Sequence, residues 1–317
     1  MLRLTFLGTS SGVPSLTRNV SGLAVQTHLG RAWMLVDCGE GTQHQVQRAG
    51  LSLHDLQAVC ISHVHGDHCF GLPGLLASAG MNARKEPLQL IAPEPVWRWL
   101  QTTLECTDTH LPYPLKWIDV ADPTPWQWLP SITISRHAQK HRVPSYAFRI
   151  DCTRAIRRLK TDALQALGLP PGPAWKALSH GQDVPFEGRL LHSADWVHEE
   201  VQHIAAVLGG DNAEPACLQA ACEGAQLLVH EATYAQAVLD KVGPGPMHSS
   251  VQLVATFAQQ QGVPNLILTH FSPRHHTADE QQVLRTEAQT HYQGQVFLAQ
   301  DFDRFELAFD GALTRRH

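Results

Sequence analysis

The chain has 317 residues and a hydrophobic content of 43%, enough for one large domain or two small ones. Its net charge of −5 argues against a uniformly basic nucleic-acid binder, although local patches or bound metals could still neutralise phosphates. No segment approaches the ~18 uninterrupted apolar residues of a membrane span, and seven cysteines without a C-x-x-C pair suit reduced thiols in a cytoplasm.

Met1–Leu7 alternates like a first strand and lacks the apolar core of a signal peptide. Short apolar runs then alternate with helical patterns. Strands are expected over Leu2–Leu7, Leu23–Thr27, Trp33–Val36, Leu56–Ile61, Leu88–Ile91, Ile132–Ser135, Tyr146–Ile150, His203–Leu208, Leu227–His230, Leu266–Thr269 and Val296–Ala299. Helices are expected over Thr42–Ala49, Pro95–Cys106, Glu214–Glu223, Ser249–Gln261 and Ala278–His291, each with a start residue and a glycine or polar stop. This alternation predicts an α/β chain in which helices cover sheets. One segment, about 151–201, breaks the rhythm. Within Asp151–Lys176 it carries Arg154, Arg157, Arg158, Lys160 and Lys176 against Asp151 and Asp162, with Leu-Pro-Pro-Gly-Pro at 169–173 and Trp175 in the same stretch. A basic, Pro/Gly-tipped excursion from an acidic chain reads as a protruding arm able to reach a polyanion.

The most informative stretch is Ile61-Ser62-His63-Val64-His65-Gly66-Asp67-His68, directly after the apolar run Ala58–Ile61. A loop leaving a strand end can turn His63, His65, Asp67 and His68 toward one point. Imidazoles with a carboxylate suit zinc, with cobalt, manganese or iron as competitors. Cys38, Cys60 and Cys69 lie close by, in surroundings that suggest packing rather than ligation.

H-x-H-x-D-H resembles the signature of the metallo-β-lactamase superfamily. That resemblance implies two sheets between helical layers, an αβ/βα four-layer sandwich, which periodicity cannot distinguish from a doubly wound sheet. It also implies further ligands at His141, Asp211 and His270, with Asp37 ordering the loop behind the metals. His137 competes with His141, and His275 and His276 with His270, while Asp211 could instead cap a helix. Several further blocks look like those of the ribonuclease Z family: Phe6–Ser15, Asp37-Cys38-Gly39-Glu40-Gly41-Thr42-Gln43, Gly71-Leu72-Pro73-Gly74-Leu75, His230-Glu231-Ala232-Thr233, His248-Ser249-Ser250 and Leu268–Arg274. The Pro-Pro-Gly-Pro arm falls where that family carries its tRNA-gripping arm. The sequence departs from the family pattern at Asn212, Ala147 and Pro273.

The resemblance implies a single hydrolase domain spanning 1–317, with an arm inserted at about 151–201. It implies a zinc-dependent endoribonuclease that removes the 3′ trailer of precursor tRNA, leaving a 3′ hydroxyl on the tRNA and a 5′ phosphate on the trailer. Two zinc ions per subunit would be held by His63, His65 and His141, and by Asp67, His68 and His270, with Asp211 between them. Asp67 would orient the nucleophile and take its proton, and His248, charged and aimed by Glu231, would protonate the leaving oxygen. Arg154, Arg157, Arg158, Lys160, Lys176 and Arg274 are substrate-contact candidates; Arg274 could equally form a salt bridge. A cytoplasmic homodimer is the family expectation. The alternatives are a small-molecule phosphodiesterase or arylsulfatase-like hydrolase of the same fold, and a non-catalytic tRNA-binding protein.

Overall fold

The computed structural model describes residues 1–28 and 30–316. Among these, eight strands form one mixed sheet in the order Leu313–Arg316, Arg304–Leu307, Leu2–Gly8, Gly22–Thr27, Trp33–Val36, Leu56–Cys60, Leu88–Ala92, Leu115–Asp119. The first five pair antiparallel, and the pairings from Trp33–Val36 onward are parallel. A second sheet runs Gln295–Leu298, Asn265–Thr269, Leu227–Glu231, Val197–Leu208, Ser145–Leu159, Ile132–Gln139, Trp126–Leu129.

The period-2 alternation of side chains gives each sheet two apolar faces. In the first, Leu35, Val59, Leu88 and Leu90 pack with residues of helices Thr42–Arg48, Leu72–Met81 and Glu94–Cys106. Met34, Ala58, Cys60 and Ile91 alternate with them and are equally buried. In the second, Ala205, Val207, Leu228, Leu266 and Leu268 pack with helices Val251–Gln260 and Ala278–His291, while Ile204, Ala206, Val229 and Ile267 face the other way, also buried. The sheets meet through contacts such as Phe297 on Phe305, with ring centroids 5.0 Å apart. Helices therefore flank a pair of facing sheets.

Some elements differ from expectation. Leu115–Asp119, Trp126–Leu129, Arg304–Leu307 and Leu313–Arg316 are strands at or near sheet edges. Their polar residues blur the alternation that a core strand shows. Leu72–Met81 is a helix despite a proline and two glycines, because Leu72, Leu75, Leu76 and Ala79 bury against the sheet. Glu214–Glu223 is not one helix but a 3₁₀ turn, Pro215–Leu218, running into Gln219–Cys222.

The chain divides into two compact units, one of Met1–Asp151 with Ile204–His317, the other of Cys152–His203. The smaller unit contains helices Thr161–Ala166 and Pro173–Ser179 and a hairpin pairing Val184–Phe186 with Arg189–Leu191. Glu187 and Gly188 both take positive φ in that two-residue turn, as such hairpins require. Leu164, Leu169, Leu178 and Leu191 form its core, with Trp175 and Trp196 against them.

Candidate active site

The motif residues all emerge at the C-terminal ends of strands. Asp37 follows Trp33–Val36, His63 follows Leu56–Cys60, His141 follows Ile132–Gln139, Asp211 follows Val197–Leu208, and His270 follows Asn265–Thr269. The short helix Gly66–Cys69 swings Asp67 and His68 back over the strand end. Gly210 is required beside Asp211, since a Cβ there would lie 2.7 Å from that of Ser62.

Seven side chains converge in two groups that share Asp211. His63 Nε2 lies 3.0 Å from His65 Nδ1, which lies 3.2 Å from His141 Nε2. Asp211 Oδ2 faces this group, 3.6 Å from His63 and 3.7 Å from His141. Its other oxygen, Oδ1, is 3.3 Å from both His68 Nε2 and His270 Nε2. Asp67 Oδ2 completes the second group, 3.5 Å from His68 and 3.4 Å from His270. Donors held ~2.1 Å from a common tetrahedral ion lie about 3.4 Å apart, the spacing seen here. Asp211 Oδ1 is buried and has no hydrogen-bond partner among the described residues. These residues fit two divalent cations bridged by one carboxylate.

Four of the five imidazoles have the outward nitrogen occupied, which fixes the tautomers that leave their inward ones bare. His68 Nδ1 donates to Asp37 at 2.8 Å, His63 Nδ1 to Ser62 Oγ at 3.0 Å, His141 Nδ1 to the Met247 carbonyl at 2.8 Å, and His270 Nδ1 to Thr233 Oγ at 3.1 Å. Asp37 also accepts from the Ser62 amide and hydroxyl. Asp37, Met247 and His270 are non-glycine residues with left-handed backbones, at φ 59, 58 and 58. Strain of this kind clusters at sites whose geometry the surrounding fold over-determines.

Charge follows the same pattern. Burial, above all, holds the imidazoles of His63, His65 and His141 below their usual range, so they stand neutral with lone pairs available. Burial opposes charge on Asp211, yet His270, His68 and His63 hold it well below the ordinary carboxylate range.

A second dyad abuts the ligands. His248 Nδ1 donates to Glu231 Oε1 at 3.0 Å. Burial works against charge on His248, but Glu231, that hydrogen bond and Asp211 outweigh it and push the imidazole up to about 9. Glu231 is itself held by the Thr233 hydroxyl at 2.6 Å and the Asn212 amide at 2.9 Å.

His137 pairs with Ser135 and His275 Nε2 accepts from the Ala235 amide, so neither joins the ligands. Arg274 is exposed and makes no salt bridge among the described residues. In the smaller unit Arg157 pairs with Glu199, Arg158 with Glu200 and Arg154 with Gln202, while Lys160 Nζ donates to the Asp195 carbonyl and Lys176 is exposed. Residues 152–203 carry six Lys and Arg against six Asp and Glu. The basic excess of the first half is thus cancelled by the second, where Asp183, Glu187, Asp195, Glu199 and Glu200 stand against Arg189. Sequence reasoning missed Gly12, whose amide donates to Asp67 at 2.8 Å, and the Met247 carbonyl, since backbone partners leave no side-chain signal. It also gave Thr233 no role, although this residue stands in the His-Glu-Ala-Thr block.

Facing sheets between helices, with a two-centre His/Asp cluster at their strand ends, define a metallo-β-lactamase-fold hydrolase. Over 99% of both chains this sequence is 46% identical to a ribonuclease Z from Marinobacter nauticus, and over 98% of both it is 45% identical to one from Pseudomonas putida. The chain belongs to the ribonuclease Z family, and is a phosphodiester hydrolase. The structure of the short form of human tRNase Z is similar, at TM-score 0.66 and 25% identity, covering 96% of this chain and 99% of that one. A metallo-β-lactamase fold protein from Bacillus subtilis matches at TM-score 0.67 and 20% identity over 96% of this chain and 98% of its own, a likeness of fold alone. A family model described as Anti-Pycsar protein Apyc1 matches residues 2–158.

Proposed function

We propose that this protein removes the 3′ trailer from precursor tRNA by metal-dependent hydrolysis, holding two zinc ions per chain. The observation that carries this reading is Asp211, whose two oxygens each face a separate group of ligands. Imidazole-rich donors with single carboxylates favour zinc over magnesium or calcium. Cations bound there would lower the pKa of a water and offset the charge that gathers on the scissile phosphate.

The protein's own groups do the rest. Asp67, fixed by the Gly12 amide and held ionised by His68 and His270 against the cost of burial, orients the attacking oxygen and takes its proton. His248, kept charged by Glu231, gives a proton to the departing 3′ oxygen of the tRNA body, a poor leaving group without one. The products are a tRNA with a 3′ hydroxyl and a trailer with a 5′ phosphate. The family relationship supports a homodimer, for light scattering to test. Seven free cysteines, five of them buried, support a reducing cytoplasmic setting, and no helix among the described residues is long and apolar enough to cross a membrane.

The deciding experiment incubates zinc-loaded protein with 5′-labelled precursor tRNA, beside bis(p-nitrophenyl) phosphate, and maps the RNA ends. A metal-dependent cut next to the last mature nucleotide, leaving a 3′ hydroxyl, is expected. Hydrolysis of the small diester with the precursor intact would discard the tRNA assignment and favour a small-molecule phosphodiesterase.

A further inference from the structure

A groove of about 320 Å³ opens beside His248. It runs between helix Gln236–Val242 and the loop from Gly243 to Met247, with Leu253 from the start of the next helix on its far side. Its walls are apolar, from Leu239, Pro244, Met247 and Leu253, and Asp240 stands on its lining with the Gln236 amide donating to it at 2.7 Å. His248 itself forms one wall.

We infer that this groove is a subsite for the nucleobase of the last nucleotide that the tRNA keeps, an inference that rests on the 3′-processing reading above. Glu231 occupies Nδ1 of His248, so Nε2 is the nitrogen left to deliver a proton. The 3′ oxygen that receives it belongs to the last mature nucleotide, whose ribose therefore lies against the His248 ring. The groove begins at that ring and offers apolar walls to the faces of a base, while Asp240 offers an acceptor to its edge. Met247 ties the groove to the chemistry. Its left-handed backbone, φ 58, aims its carbonyl at His141 Nδ1, so one residue both lines the groove and fixes a metal ligand. A base seated against Met247 would set the register of the chain at the metals, and with it which phosphodiester is cut.

The test is a double-mutant cycle between protein and substrate. Precursor tRNAs with a normal or an abasic last mature nucleotide are cleaved by the wild-type protein and by Leu253→Ala and Leu239→Ala. Leu253 is 41% exposed, so its truncation leaves the core intact. In the wild type, removing the base should lower kcat/KM about tenfold, the scale of one base–side-chain contact. In the variants the same removal should cost less than about threefold, and cleavage should scatter to neighbouring phosphodiesters. An equal loss in wild type and both variants, or no loss in the wild type, overturns the subsite while leaving tRNA cleavage standing. Precursors left whole by protein that turns over bis(p-nitrophenyl) phosphate remove the tRNA reading, and the subsite with it.

Discussion

The side-chain amide of Asn212 donates to Nε2 of the buried His230 at 3.0 Å. The Asn212 oxygen meanwhile accepts from the amides of Lys140 at 3.1 Å and Glu214 at 3.2 Å, so it ties the loop bearing His141 to the loop bearing Asp211. Asn212→Ala should destabilise the fold by about 2–4 kcal/mol, since it strands several buried polar groups at once. Asn212→Asp keeps the acceptor and should recover part of that loss. Urea unfolding of both variants measures it; equal stability of Asn212→Ala and wild type would show that the two loops hold their places independently.

Metal content separates the roles of the ligands. On the proposed two-zinc reading, Asp211→Ala should bring bound zinc from two ions per chain toward none, whereas His141→Ala or His270→Ala should leave one. His63→Ala and Asp67→Ala should lower turnover at least ~10³-fold while RNA binding stays measurable, because such groups act as a unit. Elemental analysis of dialysed protein, with single-turnover cleavage, checks both statements.

The rate of precursor cleavage should hold up to about pH 9 and fall above it, as His248 loses its proton. Glu231→Gln removes the main support for that charge, so the falling limb should move down toward the usual imidazole range. The sign for stability is the same. A folded-state pKa raised above the unfolded value contributes stability fully present below the unfolded pKa of about 6.5 and lost as pH rises through about 9. Glu231→Gln should therefore destabilise more at pH 6 than at pH 10. A limb that stays in place would assign the proton to another group.

The smaller unit can be excised at its neck, because the Lys160 amide donates to the Trp196 carbonyl at 2.9 Å and the chain returns on itself there. Joining Leu159 to Val197 through Asn-Gly should raise KM for precursor tRNA and spare hydrolysis of bis(p-nitrophenyl) phosphate. Equal loss on both substrates would make the unit a structural part of the hydrolase.

Within the same unit, Glu199→Gln with Glu200→Gln releases Arg157 and Arg158 from their partners. If RNA reaches this surface, affinity should rise a few-fold at low salt, with a steeper salt dependence. Filter binding across a salt series reads the slope, and an unchanged slope would place these arginines outside the RNA contact.

The strands before His63 and His270 were legible because they are buried apolar runs, Ala58–Ile61 and Leu266–Leu268, ending close to a chemically distinctive residue. The edge strand Leu313–Arg316 was not, since two of its four residues are exposed. Nor was the charge of the inserted unit, because Arg157 and Arg158 stand about forty positions from the glutamates that neutralise them. Apart from the Thr233 hydroxyl, the side chains of the site were visible in the sequence; its backbone donors and acceptors, Gly12 and Met247, depend on folds of the chain that no residue type announces.

The ligands are strung along most of the polypeptide, from His63 to His270, and none of the first group can be bridged to the second without Asp211. During synthesis the ribosome therefore releases the H-x-H-x-D-H loop long before the centre can close. A nascent or prematurely terminated chain that carries this loop still lacks His141, Asp211 and His270, so neither group of ligands is complete. Order of translation thus keeps the centre open until His270 has emerged.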